Sequence, residues 1–140
     1  MEFTTATFDA RVELLDDVTS FIEERADLFG LDIKRKMGLL VAIEEAFVNV
    51  CNHAYPKGSG QVKFSCGWES DLFVVEIADS GKPFDMLSLP EPDTTSDIME
   101  REVGGLGVYF IRKFCDEIYY RRENENNIVR LVVRHRSGQE

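Results

Sequence analysis

Apolar residues recur at helical spacing over two long segments in the first half of the chain. The first segment, 9–29, repeats apolar residues every three or four positions, and Gly30 follows it. A glycine directly after the last apolar position is a common helix end, so the pattern predicts a helix over this segment. Asp32 is a residue type that caps helix N-termini, and Pro56 follows the second segment. A second helix is therefore predicted over 33–54.

Five shorter segments have the composition of β-strands. Apolar and polar residues alternate over 61–68, whereas 72–78 is more continuously apolar, and the short polar turn between them indicates a hairpin. An opening strand is predicted over 4–8. Two final strands, joined by a polar turn, are predicted over 117–122 and 128–135. Short turns between consecutive strands favour an antiparallel sheet.

Between the first hairpin and the next helix, the periodicity disappears. Segment 80–103 contains three of the four prolines and several acidic residues. A long stretch of this kind inside a compact domain is typical of a functional loop or lid. The run Gly104-Gly105-Leu106-Gly107 then opens a helix to about Cys115. The predicted order is β-α-α-β-β-loop-α-β-β, an α+β fold with helices on one face of a mainly antiparallel sheet.

Composition narrows the class of protein. The 140 residues suit a single domain over 1–140, and 44% apolar and 11% aromatic residues are too many for a disordered chain. No apolar run reaches the ~20 residues of a membrane helix, and the N-terminus lacks a signal-peptide pattern. The net charge of −10 disfavours nucleic acid and anionic membranes as partners. Three cysteines at unrelated spacings indicate a reducing, cytoplasmic location.

The first group of residues with candidate chemistry lies on the second predicted helix. Its members, which are four, three and one residues apart and so share one helix face, are Glu45, Asn49, Asn52 and His53. The carboxylate can accept a proton from a hydroxyl group, and an amide oxygen can bind a hard cation such as Mg²⁺. A solvated polar face of an amphipathic helix explains the same pattern, and it is the simpler explanation of this group alone.

Two glycine-containing turns provide the other candidates. Asp79 ends an apolar strand, where its carboxylate can accept a hydrogen bond from an exocyclic amine, and Gly81 permits the close approach of a planar base. An ordinary Asp-Ser-Gly turn fits this segment as well. The run Gly104-Gly105-Leu106-Gly107 would either expose backbone N–H groups to an anion at a helix start or serve as a flexible hinge.

In this order, the three segments resemble the N, G1 and G2 boxes of the GHKL ATP-binding superfamily. The likeness is greatest to the anti-sigma factor serine kinases. Their N box is similar to Glu44-Glu45-Ala46-Phe47-Val48-Asn49 through His53-Ala54-Tyr55-Pro56, and their G2 segment is similar to Gly104-Gly105-Leu106-Gly107-Val108-Tyr109-Phe110-Ile111-Arg112. The resemblance implies a Bergerat-type, histidine-kinase-like ATPase fold, which is a two-layer α/β sandwich.

The resemblance also implies roles for individual residues toward ATP and Mg²⁺. Glu45 would be the catalytic base, and Asn49 would hold the Mg²⁺ that bridges the phosphates. Asp79 would bind the adenine amine, with Gly81 giving the base room, and 80–103 would contain the ATP lid. The further nucleotide contacts are assigned to His53, Phe84, Gly104, Gly105, Leu106 and Gly107. For His53, packing at the helix end is an equal alternative.

The chain departs from the family pattern at two positions, one at the phosphate end and one at the adenine end of the implied site. Many relatives place an arginine directly before the G2 glycines, where this chain has Val103 and the nearest arginine is Arg101. An arginine contribution to phosphate transfer is therefore left unassigned. Relatives often carry an adenine-contacting threonine on the late strand, where this chain has Asn126 and Asn127. That contact is left unassigned as well.

The function that the resemblance implies is that of a protein serine/threonine kinase and anti-sigma-type regulator. It would transfer the ATP γ-phosphate to a small anti-sigma antagonist protein, and it would sequester a sigma-like factor. The alternatives are an ATP-gated protein-binding module without kinase activity and a detached histidine-kinase catalytic domain. The last is disfavoured because no His-bearing dimerisation helix precedes the ATP-binding segments. Similar proteins commonly dimerise, so a homodimer is one option.

Other chemistries fit the sequence less well. Cys51, His53 and Cys66 lack the paired spacing of a zinc site, and Cys115 is most simply a core residue. The chain also has no GK[ST] phosphate loop. With a net charge of −10, it would have to offset phosphate charge with Mg²⁺ and backbone N–H groups, which predicts strict Mg²⁺ dependence.

Overall fold

The computed structural model describes residues 2–56, 58–88 and 103–135, and within 103–107 it describes the backbone alone. These residues form strands and helices in the predicted order. The strands are β1 Thr4–Asp9, β2 Gln61–Glu69, β3 Leu72–Asp79, β4 Glu117–Glu123 and β5 Asn126–Arg134. The helices are α1 Leu15–Phe29, α2 Ile33–His53 and α3 Val103–Phe114, with 3₁₀ turns at Val12–Leu14 and Met86–Ser88. The predicted α+β class is confirmed.

The described strands form one antiparallel sheet in the order β1-β2-β3-β5-β4. The predicted hairpins β2–β3 and β4–β5 are both present, and β3 lies at the centre of the sheet. This arrangement pairs residues that are distant along the chain. Asp79, the last residue of β3, lies opposite Asn127 of β5, and Asn127 also lies opposite Arg122 of β4.

Gly30 and Asp32, which the sequence predicts as helix boundaries, form the turn between α1 and α2. Gly30 has a left-handed φ of 93°, and its N–H donates to the carbonyl oxygen of Ala26 at 3.0 Å. The Asp32 carboxylate caps α2 by accepting a hydrogen bond from the backbone N–H of Arg35 at 3.1 Å. Both helix boundaries therefore follow from local chemistry.

The start of α1 differs from the prediction. The apolar spacing predicts a helix from residue 9, but β1 extends to Asp9 and α1 begins at Leu15. Between them Arg11 is extended, and the N–H of Ala10 donates to the carbonyl oxygen of Gly60 at 2.8 Å. This bond holds the chain beside the start of β2, and the apolar spacing does not reveal a contact between segments so far apart.

Helices cover one face of the sheet. The buried residues of α2 repeat at helical spacing, from Leu39 through Ile43 to Phe47, and they share one core with residues of the central strands. The largest fully buried side chains are Ile22, Leu39, Ile43, Phe47, Phe64, Phe73, Ile77, Ile111 and Leu131. On the other face, Glu76 accepts a hydrogen bond from Nε of Arg130 at 2.8 Å. The predicted two-layer arrangement is confirmed.

Helix α3 packs directly against α2. A Cβ atom at Gly38 would lie 2.6 Å from Cδ1 of Phe114, so only glycine permits this approach. Val108 and Ile111 of α3 are fully buried. The α2–α3 contact thus fixes the helix that begins with the glycine run. None of the described helices is long and apolar enough to cross a bilayer.

Candidate functional site

The polar residues of α2 differ sharply in their exposure to solvent. Glu45 and His53 are half-buried, Asn52 is exposed, and Asn49 is only 4% exposed. A solvated polar face therefore describes Asn52 but not Asn49. Glu45 and Asn49, one helical turn apart, lie at the boundary between the core and solvent.

Glu45 is a carboxylate without a partner among the described residues, since none of them forms a hydrogen bond or an ion pair with it. Burial raises its pKa above the usual range, and the neighbouring charge of Glu44 raises it further. A carboxylate with a raised pKa is a stronger base once it is deprotonated. Its environment therefore suits the acceptance of a proton from a bound hydroxyl group.

Asn49 carries a buried amide whose nitrogen has no hydrogen-bond partner among the described residues. An unsatisfied buried amide is unfavourable, which indicates that a further group completes the site. An amide oxygen is a ligand type that Mg²⁺ accepts. No cluster of three or more His, Cys, Asp or Glu side chains in the described part of the chain could hold a metal ion. A cation at Asn49 would therefore need most of its ligands from a bound molecule and water.

His53 joins the end of α2 to the loop 80–84, which follows β3. Its ring centroid lies 5.0 Å from that of Phe84, with an interplanar angle of 33°. This contact fits the packing role that the sequence left open for His53. It also brings two of the predicted nucleotide-binding residues together.

Asp79 is a buried carboxylate whose two oxygens have different surroundings. It is 6% exposed, and its Oδ1 accepts hydrogen bonds from the N–H of Gly81 and from Nδ2 of Asn127, both at 2.9 Å. No described residue forms a hydrogen bond with Oδ2. The carboxylate therefore keeps one oxygen that can accept a hydrogen bond from a ligand.

Gly81 is required by a contact inside the protein. A Cβ atom at this position would lie 2.2 Å from the carbonyl oxygen of Ala54, at the end of α2. The same carbonyl accepts a hydrogen bond from the N–H of Lys82 at 3.0 Å. The space that the sequence analysis attributes to a bound base is thus needed first for the loop to pack on α2.

Tyr55 links three backbone segments through one hydroxyl group. The hydroxyl donates to the carbonyl oxygen of Gln61 at 2.6 Å and accepts from the N–H of Ser80 at 2.9 Å. The ring lies against Gly60, where a Cβ atom would be 2.1 Å from Cε1 of the tyrosine. Tyr55 belongs to the segment that resembles the N box, but no role for it is predicted from the sequence.

Asn127 is a second residue to which the sequence analysis assigns no role. It is 3% exposed, and its Nδ2 donates to Oδ1 of Asp79 at 2.9 Å and to the carbonyl oxygen of Lys82 at 2.8 Å. Its Oδ1 accepts from the N–H of Phe84, the hydroxyl of Tyr120 and Nη1 of Arg122. A signal was available, because Asn127 alternates in β5 with the buried apolar residues Val129, Leu131 and Val133. A polar residue in that inward-facing set needs a partner.

The glycine run lies where the sequence predicts, in the first turns of a helix. Backbone residues Gly104, Gly105, Leu106 and Gly107 belong to α3, which begins one residue earlier at Val103. Later in α3, Nη2 of Arg112 donates to the carbonyl oxygen of Leu87 in the turn after β3. Segment 89–102, with Arg101 and most of the predicted lid, lies outside the described residues.

The cysteines have environments that suppress thiolate chemistry. Cys66 and Cys115 are buried, and burial raises the pKa of each thiol to about 12. Burial also raises the pKa of half-buried Cys51 to about 11. The assignment of Cys115 to the core is confirmed.

The chain is similar to known proteins of one family. A family model described as a histidine kinase-like ATPase domain matches residues 8–133. Two similar curated proteins are the serine-protein kinases RsbW of Halalkalibacterium halodurans, 26% identical over 122 residues, and Oceanobacillus iheyensis, 30% identical over 98 residues. These matches cover 84% and 66% of this chain and 75% and 62% of the relatives. The match to RsbW of a Bacillus cereus strain, 30% identical, covers 56% of this chain and about half (51%) of that relative.

Solved structures show the same fold. The structure of the RsbU and RsbW domains of Rv1364c from Mycobacterium tuberculosis aligns with a TM-score of 0.67 at 15% identity, covering 96% of this chain and 33% of that one. The blue-light activated histidine kinase EL346 of Erythrobacter litoralis aligns with a TM-score of 0.54 at 17% identity, covering 75% and 32%. The two-layer architecture is thus shared with domains that occur inside longer proteins.

Proposed function

The chain belongs to the family of histidine kinase-like ATPase domains, and on that basis we propose that it is an ATP-dependent protein serine/threonine kinase. Its proposed substrate is a small anti-sigma antagonist protein. The observation that carries the proposal is the half-buried carboxylate of Glu45 one helical turn before the buried amide of Asn49. A kinase needs a base beside the cation that binds the phosphates, whereas a module that only binds ATP needs no base.

The adenine end of the proposed ATP site lies at the end of β3. Oδ2 of Asp79 would accept a hydrogen bond from the adenine amine, since Oδ1 is already occupied by two donors. The paired rings of His53 and Phe84 would lie on the α2 side of the nucleotide. This arrangement supports recognition of a purine through one acceptor and an apolar surface.

At the phosphate end, backbone groups and one cation would supply the positive charge. The free N–H groups of the first turn of α3, which include those of Gly104 and Gly105, would donate to phosphate oxygens. Asn49 would hold Mg²⁺ through its amide oxygen, and the bound Mg²⁺ would neutralise charge on the phosphates. The nitrogen of the same amide has no acceptor among the described residues, so a phosphate oxygen or a water of the bound nucleotide would complete it.

Glu45 would act on the attacking hydroxyl group of the substrate serine or threonine. The carboxylate accepts the hydroxyl proton while the hydroxyl oxygen forms a bond to the γ-phosphorus. The bond from that phosphorus to the bridging oxygen breaks, and ADP leaves. The raised pKa of Glu45 and the absence of a counter-ion among the described residues both support the role of proton acceptor.

We further propose that the chain regulates transcription by exchanging partners. The chain would sequester a sigma-like factor in the cytoplasm, with a homodimer as one form of the complex, and would release it when its antagonist is available for binding. Net charge of −10 argues against nucleic acid or an anionic membrane as a further partner. The names of the RsbW relatives, which are serine-protein kinases, support the kinase over the ATP-gated module.

Replacing Glu45 by Gln tests the proposed base. The antagonist is first identified by affinity capture on the chain loaded with Mg²⁺-ATP or Mg²⁺-ADP, followed by mass spectrometry of bound proteins and phosphosites. Transfer from γ-labelled ATP to that protein is then measured. We expect Glu45→Gln to lower the transfer rate by about 10²-fold or more, with Mg²⁺-ATP affinity changed less than about threefold.

The matched control is Glu24→Gln, which changes an exposed glutamate on α1. It should transfer phosphate at the wild-type rate. Wild-type transfer by Glu45→Gln would contradict the assignment of the base. If the wild-type chain captures its partner in a nucleotide-dependent way but transfers no phosphate, the ATP-gated binding module is the correct function.

A further inference from the structure

We propose that Asn127 sets the base specificity of the nucleotide site by holding the Asp79 carboxylate so that one of its oxygens stays free to accept a hydrogen bond from the ligand. Asn127 is a positioning residue in this proposal, because it acts through Asp79. The inference rests on the proposed function, specifically on Asp79 as the acceptor for the adenine amine. It assigns the preference for adenine to a residue on a strand 48 positions further along the chain.

The orientation of the Asn127 amide is determined by its partners. The backbone N–H of Phe84 and Nη1 of Arg122 can only donate hydrogen bonds, and both point at Oδ1, at 3.2 and 3.1 Å. Oδ1 of Asp79 and the carbonyl oxygen of Lys82 can only accept, and both receive Nδ2. A reversed amide would place donors against donors and acceptors against acceptors. The hydroxyl of Tyr120 adds a third donor to Oδ1 at 2.7 Å.

This fixed amide in turn holds the Asp79 carboxylate. Oδ1 of Asp79 receives Nδ2 of Asn127 on one side and the N–H of Gly81 on the other, both at 2.9 Å. Tilting the carboxylate out of this orientation would break two hydrogen bonds in a buried environment, so one oxygen stays bound inside the protein and the other stays a free acceptor. A fixed acceptor favours a purine with an amino group at position 6 and disfavours one with an oxo group there.

Asn127 also separates two opposite charges. Nη1 of Arg122 donates to the Asn127 amide and to the carbonyl oxygen of Gly81, and no carboxylate of the described residues forms an ion pair with Arg122. Asn127 therefore stands between this cation and the carboxylate of Asp79. Without the amide between them, Arg122 would compete with the ligand for Asp79. An aspartate at 127 would instead place an oxygen 2.9 Å from Oδ1 of Asp79, where like charges repel.

The test compares ATP with inosine triphosphate, which carries an oxo group at position 6 in place of the amine. Affinities are measured by calorimetry with Mg²⁺ on the full chain. We expect the wild-type chain to bind ATP at least about tenfold more tightly, as one hydrogen bond to a buried charged acceptor allows. We expect Asn127→Ala to reduce this ratio to within about threefold. The matched control Asn126→Ala, a neighbour bonded to Ser80, should keep the wild-type ratio.

The ratio of the affinities for ATP and inosine triphosphate shows whether Asn127 positions Asp79 or only supports the fold. If Asn127→Ala weakens both nucleotides equally and keeps the ratio, Asn127 only supports the fold and the inference is wrong. If the wild-type chain itself binds both nucleotides equally, Asp79 does not recognise the amine, and both the inference and the proposed adenine site fail.

A second variant applies if Asn127→Ala does not fold. Asn127→Ser keeps a small polar side chain at this position, but it is too short to make both bonds that Nδ2 makes to Asp79 and Lys82. It should lower the ATP preference in the same direction. An unchanged ratio in a folded Asn127→Ser chain would overturn the inference.

Discussion

Glu44 and Glu45 are adjacent carboxylates on α2 that differ in exposure to solvent. Glu44 is exposed, whereas Glu45 is half-buried and its pKa is raised, mainly by burial and secondarily by the charge of Glu44. The two side chains have the same chemistry, so the position on the helix face creates the difference. Helical spacing in the sequence selects Glu45, but the degree of burial depends on the packing of the whole domain.

The raised pKa predicts how phosphotransfer depends on pH. The base must be deprotonated, so kcat/KM should fall as pH decreases through the raised pKa of Glu45. Glu44→Gln removes a neighbouring negative charge, lowers the pKa of Glu45, and should shift this acid limb to lower pH. A pH–rate profile of both chains measures the shift. An acid limb that stays in place or moves to higher pH would show that another group controls it.

At the scale of elements, the loop 80–84 is attached to α2, β2 and β5. Tyr55 provides one attachment, through its bonds to Gln61 and Ser80, and Ala54 provides another through Lys82. These contacts join segments that carry the predicted base and the predicted adenine acceptor. The relative placement of the two is therefore a consequence of how the end of α2 meets the sheet.

Tyr55→Phe tests the contribution of one such attachment. Loss of the hydroxyl leaves the carbonyl of Gln61 and the N–H of Ser80 without their partner, which should lower the free energy of unfolding by about 1–2 kcal/mol. The control is Tyr119→Phe, since Tyr119 is 53% exposed and Glu117 is the one partner of its hydroxyl among the described residues. The free energy of unfolding of this control should differ from that of the wild-type chain by less than about 0.5 kcal/mol. Urea unfolding measures the free energy of unfolding of both variants. Equal decreases in the two would show that the Tyr55 hydroxyl does not stabilise the attachment of the loop.

Local patterns predict the elements well, because helix ends and hairpins depend on neighbouring residues. The cap at Asp32 and the glycine at Gly30 are examples. The early start predicted for α1 is wrong because a bond from Ala10 to Gly60 intervenes. The inward position of Asn127 in β5 could be predicted from the sequence, but its partner could not, since only the β3–β5 pairing of distant segments brings it to Asp79. Sequence reasoning thus finds the candidates, whereas their partners require the fold.

For the whole molecule, the net charge of −10 limits how phosphates can be bound. Several cations of the described residues are engaged by carboxylates on surfaces outside the site. Lys36 pairs with Asp27 at 2.8 Å, and Arg130 pairs with Glu76 at 2.8 Å. Arg122, which pairs with no described carboxylate, is occupied by Asn127 and the carbonyl oxygen of Gly81. We therefore expect a polyphosphate to rely mainly on backbone N–H groups and on Mg²⁺.

ATP binding should accordingly require Mg²⁺. We expect EDTA to weaken ATP affinity by at least about tenfold, which corresponds to ~1.4 kcal/mol. Asn49→Ala should weaken Mg²⁺-ATP binding in a similar way, whereas Asn52→Ala, on the exposed part of the same helix, should not. Calorimetry with and without the metal measures each affinity. Tight metal-free binding of ATP would contradict this account of the charge.

The loop 80–84 has a thermodynamic consequence for ligand exchange. Each N–H group it possesses, at Ser80, Gly81, Lys82 and Phe84, already donates a hydrogen bond within the protein, and Pro83 has none to donate. This segment is therefore ordered when the protein folds. Nucleotide binding does not require a further loss of conformational entropy from it. Exchange of one adenine nucleotide for another should leave this part of the backbone unchanged. Any difference in affinity between ATP and ADP must then arise at the phosphates.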